Sequence, residues 1–275
     1  MSEAASHPVA TRSDADDLLS VLRTIAERAG KEILGYYAEA KEIEVTTKAD
    51  DSPLTEADLA AHRLITQMLK TLTPNIPIVS EEDEGANAAD AATVGKRFWL
   101  VDPLDGTKEF ISGSGEFTVN IALIEDGKPV IGVVHAPAMA MTWAGAVTAE
   151  GERFATFNET DHPPMEINGR TIPPEGATVV ASRRHGDPAS LEKFLGGRKI
   201  ADTRNAGSSI KFCLLASGKA DIYPRFGRTM EWDTAAGHAV LAGAGGRVET
   251  VAGEPLHYGK PGFENPEFVG YGAKD

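Results

Sequence analysis

The hydrophobic period of the chain changes twice, and the order of those changes restricts the folds open to it. Up to residue 72, apolar residues recur at helical spacing. Leu18, Leu22, Ile25, Ala29, Ile33 and Tyr36 form one stripe, and Ala61, Leu64, Ile65, Met68, Leu69 and Leu72 form a second that Pro74 stops. Ser13 and Asp16 read as a capping box for the first helix, which ends near Tyr37; the second helix starts at Thr55. Between residues 76 and 147 the period shortens to β-rich runs, IPIVS, FWLV, FTVNIALI, PVIGVVHA and MTWAGAV, with EDGK as a hairpin turn between two of them. Later, strand and helix signals alternate: TVVAS, a helix from about Pro188, a helix across 208–216, ADIYPRF, a helix in WDTAAGHAVLAGAGG, then GRVET and EFVGY. Helices followed by strands predict an α+β first half, and alternation predicts an α/β second half. NETDHPPMEINGRTIPPEG carries two Pro-Pro pairs and little periodicity. The expected organisation is therefore a flexible start (1–13), an α+β domain (14–157), a linker (158–176) and an α/β domain (177–275).

Composition excludes several roles. No apolar run approaches the roughly 20 residues that span a bilayer, and the start, MSEAASHPVATRSDADD, lacks the basic and apolar regions of a signal peptide. A cytoplasmic address is expected, with peripheral membrane association left open. The single cysteine, Cys213, sits in the apolar pattern KFCLLA, which suits a buried thiol in a reducing compartment. A net charge of −14 without a lysine and arginine stripe argues against a nucleic-acid polymer as partner. A small phosphorylated molecule remains compatible if bound metal ions reverse the local sign.

The apolar run RFWLVDPLDGTKEF, residues 97–110, ends on two aspartates three positions apart. Asp102 and Pro103 fit the first two positions of a turn that doubles the chain back and brings Asp105 near Asp102. The pair then either flanks cations about 3.5 to 4 Å apart or simply makes a turn. Glu81 is the first residue after IPIVS. It is a third carboxylate of that site, or part of a solvated run through Glu84. Asp58, three residues after Thr55, either caps the second helix or joins the Thr107 hydroxyl in orienting and deprotonating a water. Asp233 fits an N-cap, a position compatible with facing a cation. The spacing D-x-x-D-G-T does not match the D-x-D-G-T of aspartyl-phosphate phosphatases, where period-two alternation puts both carboxylates on one face. A calcium loop counted from Asp102 fails too, with Leu104 and Gly113 at ligand positions.

PLTEAD, VSEED, DPLDGT and WDTAAG, in this order, resemble the signature of the inositol monophosphatase-like magnesium phosphatases, and the resemblance covers the chain after its first dozen residues. It implies a layered α-β-α-β-α sandwich with the site between its halves. Two or three Mg²⁺ ions would be held by Glu81, Asp102, Asp105, Asp233 and the Leu104 carbonyl, and lithium would inhibit. The Gly106 and Thr107 N–H groups would cradle the phosphate, and Asp58 with Thr107 would activate a metal-bound water for in-line attack without a covalent intermediate. GTKEF, GEFTVNIALI, GSSIKFC, ADIYPRFG and EWDTAAGHAV resemble the branch that acts on nucleotide bisphosphates. That branch removes the 3'-phosphate of adenosine 3',5'-bisphosphate to give AMP. In it, Ser208, Lys211 and Arg225 would join the metal-site residues in holding the substrate. Surface ion pairs are the other reading of Lys211 and Arg225, and Ser182 is a weaker candidate. Inositol monophosphate and fructose 1,6-bisphosphate are alternative substrates for the same ligand set, and a catalytically dead scaffold is the non-enzyme alternative. A monomer or a homodimer is expected.

Overall fold

The computed structural model describes residues 9–37, 46–47, 53–83, 91–181 and 188–273. Residues 1–8 of the expected flexible start, Glu84 and Ser182 lie outside the described residues. Helix α1 (Arg12–Tyr37) leads through the short pair β1 (Thr46–Thr47) and β2 (Pro53–Leu54) to α2 (Glu56–Leu72). The reciprocal cap of α1 is not Ser13 with Asp16. The helix begins one residue before Ser13, so Thr11 and Asp14 form it instead: Thr11 N–H donates to the Asp14 carboxylate at 3.0 Å, and Asp14 N–H to Thr11 Oγ1 at 3.3 Å.

The first sheet follows, with β3 (Ile78–Ser80), helix α3 (Ala91–Val94), β4 (Arg97–Asp105), the short helix α4 (Thr107–Ile111), β5 (Thr118–Glu125) and β6 (Lys128–Ala136). It continues through β7 (Met141–Val147), β8 (Arg153–Glu159) and β9 (Met165–Ile167). Among the described residues these seven strands lie in chain order, β3 parallel to β4 and every later pair antiparallel. EDGK closes the β5–β6 hairpin with Asp126 and Gly127 both at positive φ, 46° and 75°, as a two-residue turn of matching twist requires. β9 falls within the segment read as a linker. Its residues are mostly exposed, so it carried no apolar alternation to betray it.

The second sheet comprises β10 (Ala177–Ala181), β11 (Ile200–Asn205), β12 (Ile222–Arg225), β13 (Arg247–Thr250) and β14 (Phe268–Tyr271), interleaved with α5 (Pro188–Leu195), α6 (Ile210–Ala216) and α7 (Ala235–Gly243). Its order is β11-β10-β12-β14-β13, with β10 parallel to both neighbours and β14 antiparallel to both of its own. The edge strand β11, almost wholly exposed, was also invisible to periodicity.

Strand alternation sorts the side chains of the first sheet between two cores. Trp99, Val101, Val119, Ile121 and Leu123 pack under α1 and α2. Phe98, Leu100, Ala122 and Ile124 face the opposite way, toward Phe212, Cys213 and Val240 of α6 and α7. A small third core, Ala177, Val179, Ile222 and Val269, takes Phe194 and Leu195 of α5. The layers are therefore α1/α2, first sheet, α6/α7, second sheet, α5: the five-layer sandwich, with an α+β first half and an α/β second half. Among the described residues no helix is long and apolar enough to cross a membrane.

α7 lies unusually close to the first sheet because Gly132 and Gly145, directly paired on β6 and β7, present no side chain to it. A Cβ at Gly145 would sit 2.7 Å from Val240 Cα, and one at Gly132 would sit 2.9 Å from the Ala236 carbonyl oxygen. Gly35, exposed in α1, has nothing within 4 Å of such an atom. The two glycines should therefore respond oppositely to alanine. Gly145→Ala is expected to lower unfolding free energy by about 1 to 3 kcal/mol through overpacking, while Gly35→Ala should raise it by about 0.5 to 1 kcal/mol. Urea denaturation of both variants checks this, and equal shifts of one sign would contradict it.

Candidate active site

Strand parity brings the two aspartates of DPLD together, and a bulge makes it possible. Asp102 pairs with Asn120 and Asp105 with Thr118, so three steps on β4 oppose two on β5. The extra residue switches parity. Leu104 turns into the core under α1 and α2, while Asp105 comes to the face that Phe98, Leu100 and Asp102 share. The chain thus does not double back at Asp102-Pro103. It stays in the strand, and Leu104 N–H donates to Asp102 Oδ1 at 3.0 Å across the bulge. Glu81 is the first residue beyond the neighbouring strand β3, its N–H donating to the Val101 carbonyl at 3.0 Å. Asp83, read as solvated, instead closes the turn behind Glu81: it accepts from Ser80 N–H at 2.7 Å and lies beside His62.

Asp233 comes from the other half of the molecule. It does not cap α7; Thr234 precedes that helix, and Asp233 Oδ2 accepts from Met230 N–H at 2.9 Å. The turn it closes is anchored by the fully buried Glu231, which accepts from Gly259 N–H at 2.6 Å, from Lys260 N–H at 3.0 Å and from the Lys260 ammonium. Oxygens of Glu81, Asp102 and Asp233 all lie within 4.8 Å of one another. Asp105 is outside that trio, although close enough to feel the charge of Glu81 and to repel Asp233. Its Oδ2 accepts from Ser209 N–H at 2.8 Å and from Asn120 Nδ2 at 3.3 Å. Neither Asn120 nor Ser209 was singled out from sequence; the signal for Asn120 was a lone amide inside FTVNIALI.

The two readings of Asp58 turn out to use different oxygens. Oδ2 accepts from Thr55 N–H at 2.8 Å and from its hydroxyl at 2.6 Å, closing the capping box of α2. Oδ1 lies 3.4 Å from the Thr107 hydroxyl, which is also 3.4 Å from the Leu104 carbonyl. Gly106, at φ 92°, starts α4, and a Cβ there would meet Ser208 Oγ at 2.2 Å. Ser208 spends its hydroxyl on the backbone, 2.8 Å from the carbonyls of Asp105 and Glu116.

Glu81, Asp102, Leu104, Asp105, Gly106, Thr107, Ser208 and Asp233 line a cleft of about 250 Å³, with Lys108, Lys211, Arg225 and Arg228 supplying positive charge; Asp58, buried, stands behind Thr107. Lys211 is not a surface ion pair. It is buried, donates to the carbonyls of Ser208 at 2.7 Å and Ala206 at 3.2 Å, and lies over the Tyr223 ring. Burial lowers it to about 8, partly offset by the charge of Asp105.

The chain matches the inositol monophosphatase family over residues 14–268. It is 47% identical over 252 residues to the 3'(2'),5'-bisphosphate nucleotidase CysQ of Escherichia coli O157:H7, an alignment covering 91% of this chain and 98% of that relative. The relative of the same name from Buchnera aphidicola is 40% identical over 88% of this chain and 87% of its own length. Among solved structures, CysQ from Bacteroides thetaiotaomicron superposes with a TM-score of 0.74 at 36% identity, covering 95% of this chain and 98% of that one.

The donor set independently fits a hard cation. It is all oxygen: the carboxylate oxygens of Glu81, Asp102 and Asp233, gathered within 4.8 Å of one another. Burial, then repulsion from Asp105 and Glu81, raises Asp233 well above the usual carboxylate range; burial, with repulsion from Glu81, raises Asp105 to about 6. Both groups must be ionised to hold a cation, so binding releases whatever protons they carry and weakens as pH falls. Titration calorimetry should show the affinity for a divalent cation dropping about tenfold or more between roughly pH 7.5 and 5.5. A pH-independent affinity would show that these carboxylates are not ligands.

Proposed function

The chain belongs to the inositol monophosphatase family, and from that premise we propose that it is a magnesium-dependent phosphatase releasing the 3'-phosphate of adenosine 3',5'-bisphosphate to give AMP. The observation that carries this reading is that the Glu81–Asp102–Asp233 carboxylates share one cleft with Thr107, whose hydroxyl is backed by the buried Asp58. The choice of a nucleotide bisphosphate rests on the 47% identical relative, which bears the name of that activity and is matched along 98% of its length.

Glu81, Asp102, Asp105, Asp233 and the Leu104 carbonyl would hold two or three magnesium ions. When bound, these neutralise phosphate charge and lower the pKa of water. The remaining steps belong to the protein. The Thr107 hydroxyl donates to Asp58 Oδ1 and accepts from the attacking water, so a proton leaves the water through Thr107 to Asp58 as the water oxygen closes on phosphorus. The bond from phosphorus to the 3'-oxygen breaks in line, and that oxygen takes a proton from solvent. N–H groups of Gly106 and Thr107, at the head of α4, bind the phosphate oxygens. Oδ2 of Asp58, tied to Thr55, keeps Oδ1 facing Thr107. Arg225 and the remaining N–H of Lys211 receive the 5'-phosphate, and Ser208 shapes the floor beneath it through its hydrogen bonds to the backbone.

Phosphate release from adenosine 3',5'-bisphosphate, inositol 1-phosphate and fructose 1,6-bisphosphate tests the assignment; preference for either sugar phosphate would overturn it. Asp58→Asn should cut turnover about 10²- to 10⁴-fold, since the amide accepts no proton. Its melting temperature should hardly move, because an asparagine carbonyl oxygen at this third helical position can still accept from Thr55 N–H and close the capping box; a destabilised but active variant would leave Asp58 only its place in that box. Arg225→Gln should lower kcat/KM for the bisphosphate roughly 10- to 150-fold, the worth of a charge-assisted contact, and leave adenosine 3'-phosphate nearly unaffected. Equal losses on both substrates would remove Arg225 from the 5'-phosphate.

A further inference from the structure

Asp105 and Asp233 lie 128 positions apart in the chain and on different layers of the sandwich. One hydrogen-bonded relay nevertheless connects them. Ser209 Oγ donates to the Asp233 carbonyl at 2.7 Å. Having spent its proton there, it can only accept from Asn120, whose Nδ2 is 3.0 Å away. The same amide nitrogen reaches Asp105 Oδ2 at 3.3 Å, and Ser209 N–H reaches that oxygen at 2.8 Å. This direction of donation fixes the amide of Asn120: its nitrogen faces both acceptors, and the buried Oδ1 accepts nothing. Asn120 is 1% exposed and Ser209 fully buried, so water does not compete for these bonds.

The relay loads one side of Asp105. The donors that the carboxylate meets, Ser209 N–H, Asn120 Nδ2 and at 3.5 Å the Thr118 hydroxyl, all approach Oδ2 and leave Oδ1 for a cation. It also ties the backbone of Asp233 to the strand that carries Asn120, the direct partner of Asp102. We propose that Asn120, acting through Ser209, is a positioning residue that sets cation affinity by aligning Asp105 of the first sheet with Asp233 of the second half. The proposal rests on reading those two aspartates as cation ligands. Asn120 does not touch substrate; its contribution is the geometry of the ligands. Outer partners of this kind are worth about 10- to 100-fold in metal affinity.

Titration calorimetry with Mn²⁺ or Mg²⁺ alone, on the full chain, supplies a readout that a structural role would not move. Asn120→Ala should weaken binding about 10- to 100-fold, and the cation concentration for half-maximal phosphate release should rise in step. KM for substrate at saturating cation should stay near the wild-type value. Ser209→Ala keeps the N–H that serves Asp105 and removes the link to the Asp233 carbonyl, without altering a strand; it should show a loss of the same kind. If the two residues act as one relay, the double variant loses less than the product of the single losses. Wild-type affinity in Ser209→Ala, or in a folded Asn120→Ala, overturns the proposal, and so does a lowered melting temperature with unchanged binding. Failure of the unaltered protein to bind any divalent cation would instead overturn the ligand reading itself, so the two failures are distinguishable.

Discussion

The site depends on how closely α7 can approach the first sheet. Helices normally pack on a sheet through side chains; here Gly132 and Gly145 remove them, and the backbone of α7 reaches the strands. The turn that carries Asp233 enters α7 directly, so the depth of that helix decides whether Asp233 meets Glu81 and Asp102. Side chains at those two glycines would push α7, and Asp233 with it, away from the carboxylates of the first sheet. Tertiary packing and cation chemistry are in this sense one constraint.

That constraint has an electrostatic cost. Three carboxylates with oxygens inside 4.8 Å, and Asp105 beside them, repel each other, and the buried ammonium of Lys211 and the charge of Arg225 offset only part of that repulsion. The fold offsets part of the cost by hydrogen bonding three of these four carboxylates. Leu104 N–H serves Asp102, Met230 N–H serves Asp233, and Ser209 with Asn120 serves Asp105. Backbone and side-chain donors thus hold these acidic groups in place, which is how a protein of net charge −14 can bring carboxylates together where, through cations, a phosphate could bind.

Several residues carry two duties that a reading of sequence sets against each other. Asp58 caps α2 with one oxygen and faces Thr107 with the other. Asp102 braces its own bulge while joining the acidic cluster. Lys211 holds the loop at 206–208 through its carbonyls while adding positive charge to the cleft. A carboxylate or an ammonium has more hydrogen-bonding capacity than one role consumes, so a structural and a chemical role need not exclude each other.

Local chemistry was legible in the sequence. Periodicity located α1, α2 and the strands that bury alternate faces, and PLTEAD, VSEED, DPLDGT and WDTAAG marked the four acidic motifs, because these features are written in residues that are neighbours in the chain. Strands β9 and β11 were not legible, since exposed edge strands bury no alternating face. Nor was the parity switch at 102–105, which a turn and a bulge satisfy with the same residues and which only the register against Asn120 and Thr118 decides. Asn120, Ser209 and Glu231 became visible only when strands, loops and helices distant in sequence were packed together. The sequence by itself marked the acidic motifs that the fold brings to one cleft. The tertiary structure decided which of these groups meet and from which side Asp105 is held, because Asn120 and Ser209 reach it, and Asp233 reaches Glu81 and Asp102, only when segments distant in sequence pack together.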